Sequence, residues 1–127
     1  GKILGKPETI DEAIGMLETL SGDTHQVTTG IHLWDEASTT HQCAIEHTSV
    51  TFRTLTPKEI ERFVEIVQPL DRAGAYTVDG PGSLLVVRYE GCFYNVLGLP
   101  LVRLHELLLQ FNFDLFANMK SENARFM

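Results

Sequence analysis

The residues best suited to chemistry lie in one stretch, Asp71-Arg-Ala-Gly-Ala-Tyr-Thr-Val-Asp-Gly-Pro-Gly82. It holds three glycines, two aspartates, an arginine and a tyrosine between two apolar segments. Glycine lets backbone approach a ligand closely and supplies positive φ. Arg72 can grip a phosphate or carboxylate through two parallel hydrogen bonds. Such a loop suits a charged small molecule, with Asp71, Arg72, Gly74, Tyr76, Asp79 and Gly80 as candidate contacts. The plainer reading is a long surface turn punctuated by Pro81-Gly82. A second cation, Lys6, sits between Gly5 and Pro7 where the chain turns toward its first helix, a place from which an ammonium can reach a phosphate.

Other reactive side chains carry less. His41, Cys43 and His47 are close in sequence, but structural zinc takes four ligands, usually as two paired groups, and no second pair is present. The alternative is His41 in an exposed turn and Cys43 buried as a small hydrophobe. Neither Cys43 nor Cys92 has a histidine at a spacing that marks a nucleophile and its base. His105 lies in an apolar helical pattern and reads as a packing residue.

The elements that must position these groups follow from periodicity. Gly1-Lys-Ile-Leu-Gly-Lys-Pro7 opens like the end of a strand. Thr9 and Glu12 have capping-box spacing, and Ile10, Ala13, Ile14, Leu17 and Leu20 predict a helix over residues 10–20 that stops at Ser21-Gly22. His25, Val27, Thr29, Ile31 and Leu33 alternate as one face of a strand. After a polar turn at 35–40, Cys43, Ala44, Ile45, Val50 and Phe52 predict its hairpin partner, with a bulge or bend at 47–49 where the alternation slips. Thr56-Pro57-Lys58-Glu59 starts the next helix with N-cap, Pro at the first position and capping-box Glu; Ile60, Phe63, Val64 and Val67 form its buried stripe and Pro69 ends it. The apolar run within 83–89 predicts a central strand covered on both faces. A short segment at 93–97 follows. Leu101, Leu104, Leu107, Leu108 and Phe111 then predict a last helix begun at Leu99-Pro100, with a polar, frayed end from 118 to 127.

Composition bounds the class. At 127 residues and 43% hydrophobic the chain supports one domain, expected over 1–117 with a polar tail. A net charge of −7, with the ten basic residues dispersed, argues against a nucleic-acid polymer while leaving room for a single nucleotide. Two cysteines make no disulfide framework, and no signal peptide or apolar run of roughly 20 residues appears, so a reducing cytoplasm and no membrane are expected.

Five ordered segments resemble the Maf family of nucleoside triphosphate pyrophosphatases. They are Leu4-Gly-Lys-Pro7; Leu20-Ser-Gly22 with His25, Val27 and Thr29; Ser49-Val-Thr-Phe-Arg53; Asp71-Arg-Ala-Gly-Ala-Tyr76; and Gly91-Cys-Phe-Tyr-Asn-Val-Leu-Gly-Leu-Pro-Leu101. The resemblance implies an α/β fold, Maf/ITPase-like, with an elongated, bent mixed β-sheet, flanking helices and a cleft between two lobes. It implies hydrolysis of a nucleoside triphosphate to the monophosphate and pyrophosphate, a divalent cation, usually magnesium, and often a homodimer. Lys6 matches the family's phosphate-contacting lysine. Arg72 stands where the family commonly has lysine. Asp79 stands where members acting on dTTP and UTP often have glutamine, which implies a shift toward a base richer in donors, such as that of GTP or 7-methyl-GTP. The family's serine-arginine-arginine motif and its proton-acceptor aspartate are placed ahead of Gly1, so the resemblance implies little turnover by these residues alone. The alternatives are a noncatalytic nucleotide-binding or dimerising fragment, and a metal-binding regulator using His41, Cys43 and His47.

Overall fold

The structure is a computed structural model that describes residues 3–120. Helix α1 (Ile10–Leu20) starts at Thr9, whose hydroxyl accepts from the Glu12 amide at 3.1 Å. The Glu12 carboxylate reaches back one residue further than a standard capping box, to the Glu8 amide at 2.7 Å. The helix ends at Ser21, and Gly22, with φ of 72°, takes the left-handed turn. Helix α2 (Pro57–Val67) has the full reciprocal box, Thr56 Oγ1 accepting from the Glu59 amide and Glu59 Oε1 from the Thr56 amide. The two helices meet over Ala13, Leu17, Leu20, Ile60, Phe63 and Val64, and this seam closes on Val50 and Phe52 of the sheet. Burying each large side chain of this set stabilises the fold by about 1.5–3 kcal/mol.

The sheet has strands β1 (Thr24–Asp35), β2 (Thr40–Phe52) and β3 (Val86–Glu90) in the order β1-β2-β3. The α/β expectation is met; among the described residues the sheet is antiparallel throughout. β1 alternates from end to end, with His25, Val27, Thr29, Ile31 and Leu33 inward as expected.

Three expectations are corrected. No bulge interrupts β2 at 47–49: its pairing with β1 runs unbroken from Thr24–Thr51 to Asp35–Thr40, and the register shift lies at Thr51/Phe52, against β3. The apparent slip arises because the inward face of β2 carries Ala44, Glu46 and Thr48 while Cys43 and Ile45 point to solvent. Cys43 is therefore exposed and not a buried hydrophobe. The run at 83–89 is not a central strand either. Its first half is a 3-10 turn (Gly80–Leu84), β3 occupies an edge of the described sheet, and Leu84 and Val87 are 68% and 63% exposed. Gly1 and Lys2 of the opening segment lie outside the described residues, as does most of the 118–127 tail; residues 3–7 form no strand pairing.

After Gly91 the chain forms α3 (Phe93–Leu97) and α4 (Leu101–Gln110), both against the inner face of the hairpin. The junction is a buried polar knot. The Asn95 amide donates to the Val27 carbonyl at 3.0 Å, the Glu46 carbonyl at 3.4 Å and Thr48 Oγ1 at 3.0 Å, while Thr48 donates to the Cys92 carbonyl at 3.0 Å. Arg103 of α4 adds an ion pair to Glu46 at 3.5 Å. Replacing Asn95 by alanine removes the hydrogen bonds its amide donates to the Val27 and Glu46 carbonyls and to Thr48 Oγ1, and leaves a void at a buried site. Asn95→Ala should lower the stability read from urea unfolding by about 1–3 kcal/mol, with an unchanged m-value.

Candidate functional site

The loop between α2 and β3 is shaped by backbone that few residues tolerate. α2 closes through Gln68 in the left-handed region and Pro69. A 3-10 turn (Ala73–Ala75) follows, in which Gly74 and Ala75 have φ of 73° and 67°. A left-handed alanine is strained by about 1 kcal/mol or more, and it is held here by complete burial in the core beneath the loop. At the second turn Gly82 is obligatory, since a Cβ there would lie 1.7 Å from the Thr77 carbonyl oxygen. Asp79 precedes the second turn as its N-cap residue, and Gly80 is the turn's first residue.

One hydrogen bond ties this loop to the opening segment: the Gly74 amide donates to the Gly5 carbonyl at 3.0 Å. Lys6 is one residue from the acceptor and Arg72 two from the donor. The two cations predicted from distant parts of the sequence therefore flank the same contact, and both side chains are exposed. Arg72 Nε lies 3.6 Å from Asp71 Oδ1, an exposed pair too weakly held to immobilise the guanidinium. Asp79 accepts from the Thr77 hydroxyl, which, with a backbone hydrogen bond and a smaller contribution from the Arg72 charge, holds its carboxyl below the usual range. A hollow of about 380 Å³ opens beside Gly5, walled by Leu4, Glu12, Gly15, Met16 and Thr19 of α1 and its approach, and not by the loop's own charged groups.

Tyr76 turns inward. Its hydroxyl is 2.7 Å from His25 Nε2, and its ring meets Phe52 and His25 edge to face at 4.9 and 5.5 Å. Burial pushes the phenol above its usual range and the imidazole below it, so both are neutral near pH 7. His25 Nδ1 is buried with no hydrogen-bond partner among the described residues. The pair joins the foot of β1 to the loop, a role that the alternation of β1 did not reveal, because a histidine on an apolar face reads as packing. Arg53 is the other residue whose work was illegible. It donates to the Leu84 carbonyl and, at 2.6 Å, to Glu59, coupling the α2 cap to the second turn. The Arg53 hydrogen bond is the main reason the Glu59 carboxyl drops from 4.5 to about 2.

The triad of His41, Cys43 and His47 does not form. His47 Nδ1 is engaged by Thr28 Oγ1 at 2.8 Å, and the third residue beside His41 and Cys43 is His32. Among the described residues no helix is long and apolar enough to cross a membrane.

The family model described as Maf-like protein matches residues 2–111. The chain belongs to the Maf-like family. Curated relatives include the dTTP/UTP pyrophosphatases of Moorella thermoacetica, 46% identical over 91% of this chain and 60% of the relative, and of Pelotomaculum thermopropionicum, 44% identical over 90% and 60%. That of Carboxydothermus hydrogenoformans is 42% identical over 89% of this chain and 61% of its own length. The Maf-like chain thus spans about 60% of the length of the relatives it matches.

The buried imidazole makes this Maf-like fold sensitive to acid. His25 titrates below its ordinary 6.5 in the folded state, so the unfolded chain takes up the proton first as pH falls. The contribution from His25 is complete above that value and is lost below it. His25→Gln keeps a hydrogen-bonding partner for Tyr76 without the titration. Between about pH 7 and pH 5, the wild type should lose stability relative to this variant in parallel thermal melts.

Proposed function

We propose that this chain binds a nucleoside triphosphate and serves its hydrolysis between the α and β phosphates, releasing the monophosphate and pyrophosphate. The observation that supports the reading is the Gly74–Gly5 hydrogen bond, which joins the two backbone segments that carry Arg72 and Lys6. The names of the relatives, dTTP/UTP pyrophosphatases, support the same substrate class. Negative charge grows on the phosphate oxygens as the anhydride breaks, and an ammonium and a guanidinium that close on it lower the barrier. Lys6 acts as a compact point charge and Arg72 as a planar fork. Gly80, exposed with open space where a Cβ would stand, leaves room for the ligand, while buried Gly74 shapes the turn against the Tyr76 ring and Leu20. Tyr76 positions the loop through His25.

Magnesium suits this donor set as a nucleotide-borne ion: it typically keeps waters and takes one or two carboxylates along with substrate phosphates. Asp71, exposed at the head of the loop, is the hard-oxygen donor that would hold it. When bound, the ion neutralises charge on the phosphates. A homodimer and a reducing cytoplasm complete the reading.

Asp79 sets the base. Its carboxylate only accepts hydrogen bonds, so it favours a base edge rich in N–H donors, as in guanine or 7-methylguanine, over uracil or thymine.

Binding of non-hydrolysable triphosphate analogues to the 127-residue chain, followed by calorimetry, tests these assignments. Lys6→Ala and Arg72→Ala should each weaken binding by about tenfold, near 1.4 kcal/mol, without lowering the melting temperature; unchanged affinity in both would remove the phosphate site. Across GTP, 7-methyl-GTP, UTP and dTTP analogues, Asp79→Gln should shift preference toward the pyrimidines by about tenfold. A wild type that already prefers pyrimidines as strongly as the variant would refute the role of Asp79 and leave the phosphate contacts standing.

A further inference from the structure

The outward face of the β1–β2 hairpin carries a cluster that the nucleotide reading does not use. His32 lies directly opposite Cys43 in the ladder, and His41 is two residues along β2, opposite Trp34. Residues opposite and diagonal on one face of an antiparallel pair are within side-chain reach. Here His32 Nε2 is 3.0 Å from His41 Nδ1, and a ligand atom from each of His32, His41 and Cys43 lies within 4.8 Å of the others. All three are exposed, and the Cys43 thiol is free. Trp34 stacks on the His41 ring at 5.4 Å and 20°.

We propose that this cluster is a binding site for a borderline-soft divalent cation of the zinc type, held by two imidazole nitrogens and one thiolate. Zinc takes His nitrogen at about 2.0–2.1 Å and thiolate at about 2.3 Å in a tetrahedron, so closing three atoms already this near onto one ion needs only rotamer adjustment. The fourth position is left to water, since the face is open. A thiolate with two imidazoles selects this class over magnesium or calcium, which prefer oxygen. Binding removes the proton from Cys43. It also fixes the tautomers, with the ring hydrogens on His32 Nδ1 and His41 Nε2, so that both facing nitrogens offer lone pairs. Asp35, at the hairpin turn, accepts from the Ala37 amide and the Ser38 hydroxyl, and the grouped ligand atoms are those of the His2Cys set.

The site stands seven residues along β1 from His25, about 23 Å at the usual strand rise, and is independent of the nucleotide loop. A bound ion clips β1 to β2 at the end of the hairpin remote from Asn95.

Titration of the reduced full chain with Co2+, a spectroscopic stand-in for zinc, tests the assignment. One equivalent should produce tetrahedral d–d absorption and a thiolate charge-transfer band, both abolished when Zn2+ displaces it. Cys43→Ser should eliminate the charge-transfer band, and His32→Ala should weaken binding by more than about 100-fold, beyond the effect of losing an outer partner. Trp34, the single tryptophan, should report the same stoichiometry by fluorescence through its stack on His41. Because all three side chains are exposed, circular dichroism of the variants should match the wild type. A charge-transfer band that survives Cys43→Ser, affinity unchanged in His32→Ala, or no thiolate band at one equivalent would overturn the site.

Discussion

The architecture turns on a buried amide. Asn95 is almost fully buried, and its NH2 group reaches both strands of the hairpin at once, through the Val27 and Glu46 carbonyls, and the Thr48 hydroxyl between them. Burying a polar group is costly unless it is paired; the NH2 group of Asn95 is paired three times, while its Oδ1 is buried with no partner among the described residues. Thr48 passes the constraint on to the Cys92 carbonyl, so α3, β1 and β2 are tied into one register. Gly91, next to Cys92, has φ of 122°, and any side chain there would crowd the His47 carbonyl and Thr48. The knot therefore needs Asn95, Thr48 and Gly91 together. It also explains why polar Thr48 occupies an inward position of β2 that would otherwise take an apolar residue.

From this knot the hairpin extends in two directions with different work at each end. At its foot His25 meets Tyr76 and Phe52, and through them the glycine-rich loop. Toward its tip the outward face gathers His32, His41, Cys43 and Trp34. A two-stranded ribbon is marginal without a packed face. Here α3 and α4 cover the inner face and leave the outer one free for chemistry.

The loop balances strain against anchorage. Two consecutive left-handed residues, Gly74 and Ala75, aim the Gly74 amide at Gly5, and the cost at Ala75 is offset by its burial among core side chains. The Arg53–Glu59 pair with the Leu84 carbonyl braces the second turn from below. The cations at 6 and 72 can thus stay exposed and unpaired with the core while the backbone beneath them is held.

Much of this was legible in local sequence. Capping residues, 3.6-residue periodicity and proline stops delimit α1 and α2 because those signals act within a few positions. The alternation of β1 was readable for the same reason, and family motifs identified the chain. Val50 and Phe52 already mark the inward face of β2, but only the tertiary structure extended it through Thr48, Glu46 and Ala44 and left Ile45 and Cys43 outside, with Thr48 held inward by Asn95. Tertiary structure also decided that the 83–89 run is half turn and half edge strand, since Gly82 must lie against the Thr77 carbonyl. The partners of His25, Arg53 and His41 were likewise undetermined: each depends on contacts between residues far apart in the chain, and side-chain type carries no record of what folding brings beside it.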